Sequence, residues 1–236
     1  MHSVQLNAFG KPWEVVETIT LPDPGAPGAG EIVVDMEFSP INPSDLVLMR
    51  GLYGVKPKLP APVGSEGVAR VANVGSGVAG IKEGDRVLFP RGTSTWMTRS
   101  KLKADGLFAL PAGADPRQLS MLMVNPPTAY LLLTEYVPLK KGDWVIQSAG
   151  NSGVGRAVIA IAKHMSVHTV SVVRRPELVD ELKNLGADVV LVEGPDLAKR
   201  VAEATGKAKI MLALDSVGGP GLMSLNDCLA NGGTLV

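Results

Sequence analysis

One run near the middle of the chain constrains its fold more than any other feature. It is an apolar strand, a glycine-rich turn and the start of an alanine-containing helix: Trp144-Val145-Ile146-Gln147-Ser148-Ala149-Gly150-Asn151-Ser152-Gly153-Val154-Gly155-Arg156-Ala157-Val158. Glycine permits backbone angles that other residues resist and lets the chain come close to an anion, while free amides at a helix N-terminus point toward that anion. A pyrophosphate group needs this order of elements. In the G-x-G-x-x-G frame Gly150 and Gly155 hold the outer places, Ser152 stands in the middle one and Gly153 is additional, so the match is imperfect. An ordinary tight strand-to-helix connection has a similar texture. Placement at the first strand of an alternating βα series favours the dinucleotide reading, with Gly150, Asn151, Ser152, Gly153, Val154 and Gly155 as the candidate contacts.

That series fills the second half. After Pro111 helical stretches alternate with compact apolar strands at Trp144–Ser148, Thr169–Val173, Asp188–Leu191 and Ile210–Asp215, and a fifth strand begins at Gly233, the pattern of a parallel sheet. Up to about Leu110 the texture differs: short strands such as Glu31–Met36 and Gly67–Val74 are punctuated by Gly and Pro. With 236 residues, 45% of them hydrophobic, the chain is long enough for two domains. We place them at residues 1–112 and 113–236, with the boundary near Pro111 to Pro116. A dinucleotide-binding sheet of this type has six strands, and the chain stops inside the fifth. The expectation is therefore an α/β chain truncated at its C-terminus, a fragment or a shortened form. No internal repeat is evident.

The tip of the second strand, Val172-Val173-Arg174-Arg175-Pro176, lies about twenty residues past the turn, where an NAD-binding fold presents an acid to the adenosine ribose 2′-hydroxyl. Here the tip is basic, with no carboxylate beside it to repel a 2′-phosphate. Arg174 and Arg175 thus favour NADPH over NADH. Two solvated arginines in a surface loop are the alternative. Lys plus Arg and Asp plus Glu each number 23, so no net charge draws the chain to nucleic acid or to a membrane, and small-molecule partners are expected. No apolar run reaches the roughly 18 to 20 residues of a spanning helix. The N-terminus has neither a secretory nor an Arg-rich transit pattern, which points to a cytoplasmic protein. Cys228, the one cysteine, leaves no room for a disulfide framework and reads as a small buried residue. His2, His164 and His168 read as surface or packing residues.

Further motifs carry a resemblance. Ile41-Asn42-Pro43-Ser44-Asp45, Gly51-Leu52-Tyr53-Gly54, Gly64-Ser65-Glu66-Gly67, Gly84-Asp85-Arg86-Val87, Gly92-Thr93-Ser94-Thr95-Trp96, Val124-Asn125-Pro126-Pro127-Thr128-Ala129-Tyr130 and Asn151-Ser152-Gly153-Val154-Gly155 together resemble the zinc-free medium-chain dehydrogenase/reductases. Within them the likeness is to the mitochondrial-type trans-2-enoyl thioester reductases and the related quinone oxidoreductases. The resemblance covers essentially the whole chain. It implies a GroES-like β-rich domain joined to a Rossmann domain with a doubly wound parallel sheet, and a homodimer. It also implies NADPH-dependent reduction of an activated carbon–carbon double bond, with 2-enoyl thioesters preferred and quinone or alkenal reduction as the rival. A non-catalytic NADPH-binding protein is a further alternative.

The same resemblance assigns residues. Tyr53 matches the active-site tyrosine, whose phenol would hydrogen-bond the enolate oxygen or help protonate the α-carbon; the plainer reading is a tyrosine packed at a loop edge. Asn125 matches a cofactor-contacting asparagine. Asn42 and Trp96 fall at the substrate pocket, Trp96 as a packing and shaping residue. The zinc-dependent branch has cysteine where Asn42 stands and histidine where Ser65 stands; only Glu66 remains of that ligand set, so no metal is expected.

Overall fold

The computed structural model describes residues 1–236. The chain divides into two compact units, Met1–Val124 and Asn125–Val236.

The first unit carries strands β1 (His2–Leu6), β2 (Val16–Thr20), β3 (Glu31–Phe38), β4 (Ala61–Pro62), β5 (Val68–Val74), β6 (Arg86–Leu88) and β7 (Arg99–Lys103). Short helices α1 (Pro12–Val15), α2 (Pro43–Met49) and α3 (Pro116–Leu119) connect or flank them. The strands form two antiparallel sheets, ordered β2-β1-β4 and β6-β5-β3-β7. Along β3 the alternation of a strand decides which residues go inside. Ile32, Val34 and Met36 face a core with Ala69, Val71, Val87, Phe89 and Leu102. Asp35 and Glu37 face the other way, where Asp35 meets Arg99 at 2.6 Å and Glu37 meets Arg70 and Arg86, each at 2.6 Å. A smaller core of Leu6, Met49 and Val63 closes β1 against α2.

This unit runs beyond the boundary of residues 112 and 113 drawn from composition. Leu119 of α3 packs with Val68 and Leu110, and the N–H groups of Met123 and Val124 donate to Glu66 at 2.9 and 3.0 Å. A Pro-rich stretch marked where the texture changes; these contacts mark where the packing does.

The second unit has helix α4 (Asn125–Thr134), then strand β8 (Trp144–Gln147), helix α5 (Gly153–Met165), β9 (His168–Val173), α6 (Val179–Leu185), β10 (Val189–Val192), α7 (Leu197–Ala204), β11 (Ile210–Leu214), α8 (Gly221–Asn226) and β12 (Thr234–Leu235). Its five strands are all parallel in the order β10-β9-β8-β11-β12. Counting from β8, that is the 3-2-1-4-5 arrangement of a Rossmann sheet. Strands covered on both faces become near-continuous apolar runs. Val145, Leu212 and Leu214 turn toward Ala129 and Leu133 of α4 and Val158 and Ala162 of α5. Ile146, Val170 and Ala213 turn toward Leu197 and Val201 of α7 and Leu225 of α8. The sheet is doubly wound, and its strands begin and end within a residue or so of the expected positions. Cys228 is half-buried; its thiol donates to the Ser224 carbonyl at 3.2 Å, and burial pushes its pKa up to about 11.

Candidate cofactor cleft and the buried asparagine–glutamate pair

The turn after β8 is built by close approach rather than by unusual glycine angles. The left-handed residue is Ala149, at φ 45°, and none of Gly150, Gly153 and Gly155 has a positive φ. Their hydrogens are needed for space. A Cβ on Gly150 would lie 2.7 Å from Cβ of Ser171 in β9, one on Gly155 would lie 2.7 Å from the carbonyl oxygens of Ala149 and Gly150, and one on Gly153 would lie 2.7 Å from Nδ2 of Asn125. Real Cβ atoms do not come that close, so helix, turn and neighbouring strand pack at a distance only glycine allows. Buried Gln147 ties the turn from below, donating through Nε2 to the Gly155 carbonyl and to Ser171 Oγ, each at 3.0 Å.

Ser152, the departure from the glycine frame, is the N-cap of α5. Its Oγ accepts the Gly155 N–H at 3.0 Å, satisfying one of the helix's orphan donors. The N–H groups of Asn151, Gly153 and Val154 make no hydrogen bond within the protein. Three open donors thus stand at the positive end of a 13-residue helix. Arg156 is not among the free charges: it bonds the Asn151 carbonyl at 3.1 Å and pairs with Glu181.

A cleft of about 800 Å³ opens at the carboxyl ends of the parallel strands. Asn151 and Ser152 line it from the turn, Arg174 and Arg175 from beyond β9, Glu193 from beyond β10, and Asp215, Val217 and Gly218 from beyond β11. It spans the point where the strand order reverses, between β8 and β11. Ligands of open α/β sheets bind there. Both arginines are exposed. Arg174 makes no ion pair, whereas Nε of Arg175 lies 3.7 Å from Glu177 Oε1. A carboxylate therefore does stand beside the basic tip, against the expectation from sequence, and it compensates Arg175 while leaving Arg174 whole.

Ser148 and Asp215 are not singled out by sequence reasoning, which stops at the glycines. Ser148 Oγ donates to Asp215 Oδ1 at 2.6 Å and accepts the Ser216 N–H at 2.9 Å. Burial acts to raise the Asp215 pKa, but hydrogen bonds from Ser148 and from the N–H groups of Gly218 (2.7 Å) and Val217 (3.2 Å) outweigh it and hold the carboxyl below its ordinary value. The signal in the sequence was an acid at the end of an apolar strand, followed closely by Gly218-Gly219.

In the first unit the three candidates have different surroundings. Asn42 is buried ahead of α2: its N–H donates to Asp45 at 2.8 Å, and Nδ2 donates to Glu66 Oε1 at 2.9 Å and Ser65 Oγ at 3.4 Å. It is buried in the unit's interior. Glu66 is fully buried, and that burial raises its pKa even against the hydrogen bonds from Asn42, Met123 and Val124. Trp96 packs on Leu6, Met49 and Val63, with Nε1 donating to the Pro40 carbonyl at 3.2 Å. Tyr53 is 45% exposed, and its hydroxyl makes no hydrogen bond within the protein.

Residues 28–114 match the alcohol dehydrogenase GroES-like domain family, and residues 153–236 match the zinc-binding dehydrogenase family. The mitochondrial enoyl-[acyl-carrier-protein] reductase of Rattus norvegicus is 42% identical over 236 residues, covering 96% of this chain and 62% of the rat protein. A protein of the same name from Caenorhabditis elegans is 40% identical over 226 residues, covering 94% of this chain and 64% of its own length. The chain thus spans less than two thirds of these curated relatives. Among solved structures, a mutant form of the enoyl thioester reductase from Candida tropicalis superposes with a TM-score of 0.84 at 30% identity, covering 99% of this chain and 73% of that one. The Escherichia coli quinone oxidoreductase complexed with NADPH superposes with a TM-score of 0.82 at 28% identity, covering 100% and 72%.

Proposed function

This chain belongs to the medium-chain dehydrogenase/reductase superfamily, and from that premise we propose that it reduces the activated double bond of trans-2-enoyl thioesters with NADPH and without zinc. The observation that carries the cofactor is the cleft: three uncommitted N–H donors at the head of α5 and an unpaired guanidinium at Arg174. Asn151, Gly153 and Val154 would take the pyrophosphate, with Gly150 and Gly155 allowing the approach. Arg174, with Arg175 in support, would take the 2′-phosphate. Asn125, held against Gly153, is poised beside the same turn. When bound, NADPH supplies a hydride. As negative charge develops on the thioester carbonyl oxygen, the free hydroxyl of Tyr53 hydrogen-bonds it and aids protonation at the α-carbon.

A zinc ion does not fit the residues that replace its ligands. Asn42 offers an amide already donating to Glu66, and both Glu66 oxygens accept hydrogen bonds from the protein. Neither amide nor serine hydroxyl is a good zinc ligand.

The likeness to the NADPH-bound quinone oxidoreductase supports a second reading, with the same cofactor and a quinone as acceptor. The Candida tropicalis neighbour is an Etr1p/Etr2p heterodimer, which supports assembly in pairs, here of two copies of this chain. The deciding experiment follows NADPH absorbance with a trans-2-enoyl thioester, with a quinone, and with NADH in place of NADPH. Rapid thioester turnover with NADPH alone is expected. Turnover with quinones only would overturn the thioester assignment, and binding without turnover would leave a non-catalytic NADPH-binding protein. Tyr53→Phe is expected to lower turnover strongly without weakening NADPH binding; unchanged turnover would remove Tyr53 from the mechanism.

A further inference from the structure

Asp215 lines the cleft just beyond β11, and three hydrogen bonds to its carboxylate, with a fourth to Ser148, form a closed set. Oδ1 accepts from Ser148 Oγ at 2.6 Å and from the Val217 N–H at 3.2 Å; Oδ2 accepts from the Gly218 N–H at 2.7 Å; Ser148 Oγ in turn accepts the Ser216 N–H at 2.9 Å. The backbone adds two more ties at the same level, Ser148 N–H to the Leu214 carbonyl at 2.9 Å and Asp215 N–H to the Val236 carbonyl at 2.8 Å. The segment so held is not self-supporting. Gly218 and Gly219 follow with φ of 73° and 70°, conformations glycine enters and leaves at little cost, and no apolar cluster anchors Val217, which is 57% exposed. Yet Val217, Gly218, Pro220 and Gly221 line the same cleft as Asn151 and Ser152 of the turn.

We infer that the Ser148–Asp215 pair is a positioning clamp for the cofactor: it fixes the 215–220 loop as a wall of the cleft, so that the site is formed before NADPH arrives. This rests on the cofactor reading above. The physical reason is preorganisation. A loop already ordered does not charge its ordering entropy to the binding step, and a carboxylate accepting backbone N–H groups ties a short loop about twice as strongly as neutral acceptors do. Burial argues the same way. The carboxyl keeps its charge in a partly buried place because three donors converge on it, and each donor belongs to the loop or to the strand beside it.

The test separates the clamp from the cofactor. Ser148→Ala and Asp215→Asn are compared with the unaltered chain by hydrogen exchange at the Ser216, Val217 and Gly218 amides without ligand, by NADPH fluorescence titration, and by thermal unfolding. Loss of one charge-assisted hydrogen bond should speed exchange at those amides at least about tenfold. The Kd for NADPH should rise by a similar factor, about tenfold, with the unfolding midpoint moved by only a few degrees. With saturating NADPH, kcat should stay near that of the unaltered chain while KM for NADPH rises. Exchange that does not change at these amides would overturn the clamp, as would faster exchange with unchanged NADPH affinity, or an affinity loss that merely tracks a large fall in the midpoint. If the unaltered chain shows slow exchange at these amides but no NADPH binding, the cofactor reading fails and the positioning role fails with it.

Discussion

Arg174 and Arg175 are neighbours in sequence and unequal in charge. Glu177 stands 3.7 Å from Arg175, so part of its field is already answered, while Arg174 makes no ion pair. A guanidinium with no partner has more to gain from a phosphate than one that must share. We expect Arg174→Ala to weaken NADPH binding at least about tenfold and Arg175→Ala only a few-fold, with NADH binding little changed in either. Paired titrations with the two nucleotides decide it; equal losses would show that the Glu177 contact does not matter in the complex. The basic tip itself was legible in the sequence, because position along a βα unit is set by backbone geometry. Glu177 is only two residues beyond Arg175, yet whether a nearby carboxylate faces the phosphate site depends on how Pro176 opens the turn of 3₁₀ helix at Pro176–Leu178, which composition does not fix.

Helix α5 shows how an imperfect motif can be a complete one. With glycine at 152 the helix would lose its cap, since only a side-chain oxygen there can accept the Gly155 N–H. Ser152→Ala should therefore cost about 1 kcal/mol of stability by denaturant titration, and Ser152→Asp should retain most of it. At the opposite end of the sheet, Asp188 braces the start of β9: it meets His168 Nδ1 at 2.8 Å and accepts the Thr169 N–H at 2.9 Å, and His168 stacks on Trp144 at 4.7 Å between ring centroids. Burial tends to raise the Asp188 pKa, but these hydrogen bonds prevail and lower it. A depressed carboxylate pKa means stability that is present above the ordinary value near 3.8 and lost as pH falls through the folded one. Asp188→Asn should lower stability at neutral pH on the order of 1 kcal/mol or less, the pair being more than a third exposed, and should flatten the acid limb of the stability curve below about pH 4. The bland reading of His168 as a surface or packing residue fits this placement. What sequence could not give was its partner, because Asp188 comes from the next βα unit and meets it only through the register of β9 and β10.

At the scale of the whole molecule, the fold class was readable because each unit's hydrophobic pattern has one period: alternation in β3 and β5, continuous apolar runs in β8 to β11. The site was readable only where a motif is contiguous. Gly150 to Gly155 announces itself; Ser148 with Asp215, and Asn42 with Glu66, are pairs that only topology brings together, and the unit boundary moved for the same reason, since Glu66 claims the N–H groups of Met123 and Val124. These pairs also argue for what holds the molecule together without ligands. Each unit closes on apolar clusters, and the position that could have bound zinc is closed by an amide–carboxylate hydrogen bond inside the first unit. A chelator should accordingly leave thermal unfolding unchanged, whereas NADPH at one hundred times its Kd should stabilise the cooperative unit containing Asn125–Val236 by about 2.7 kcal/mol. Differential scanning calorimetry in the presence of each reads both at once. A midpoint that falls with chelator would place a metal in the fold; one that fails to rise with NADPH would mean that the open donors at the head of α5 do not take a dinucleotide.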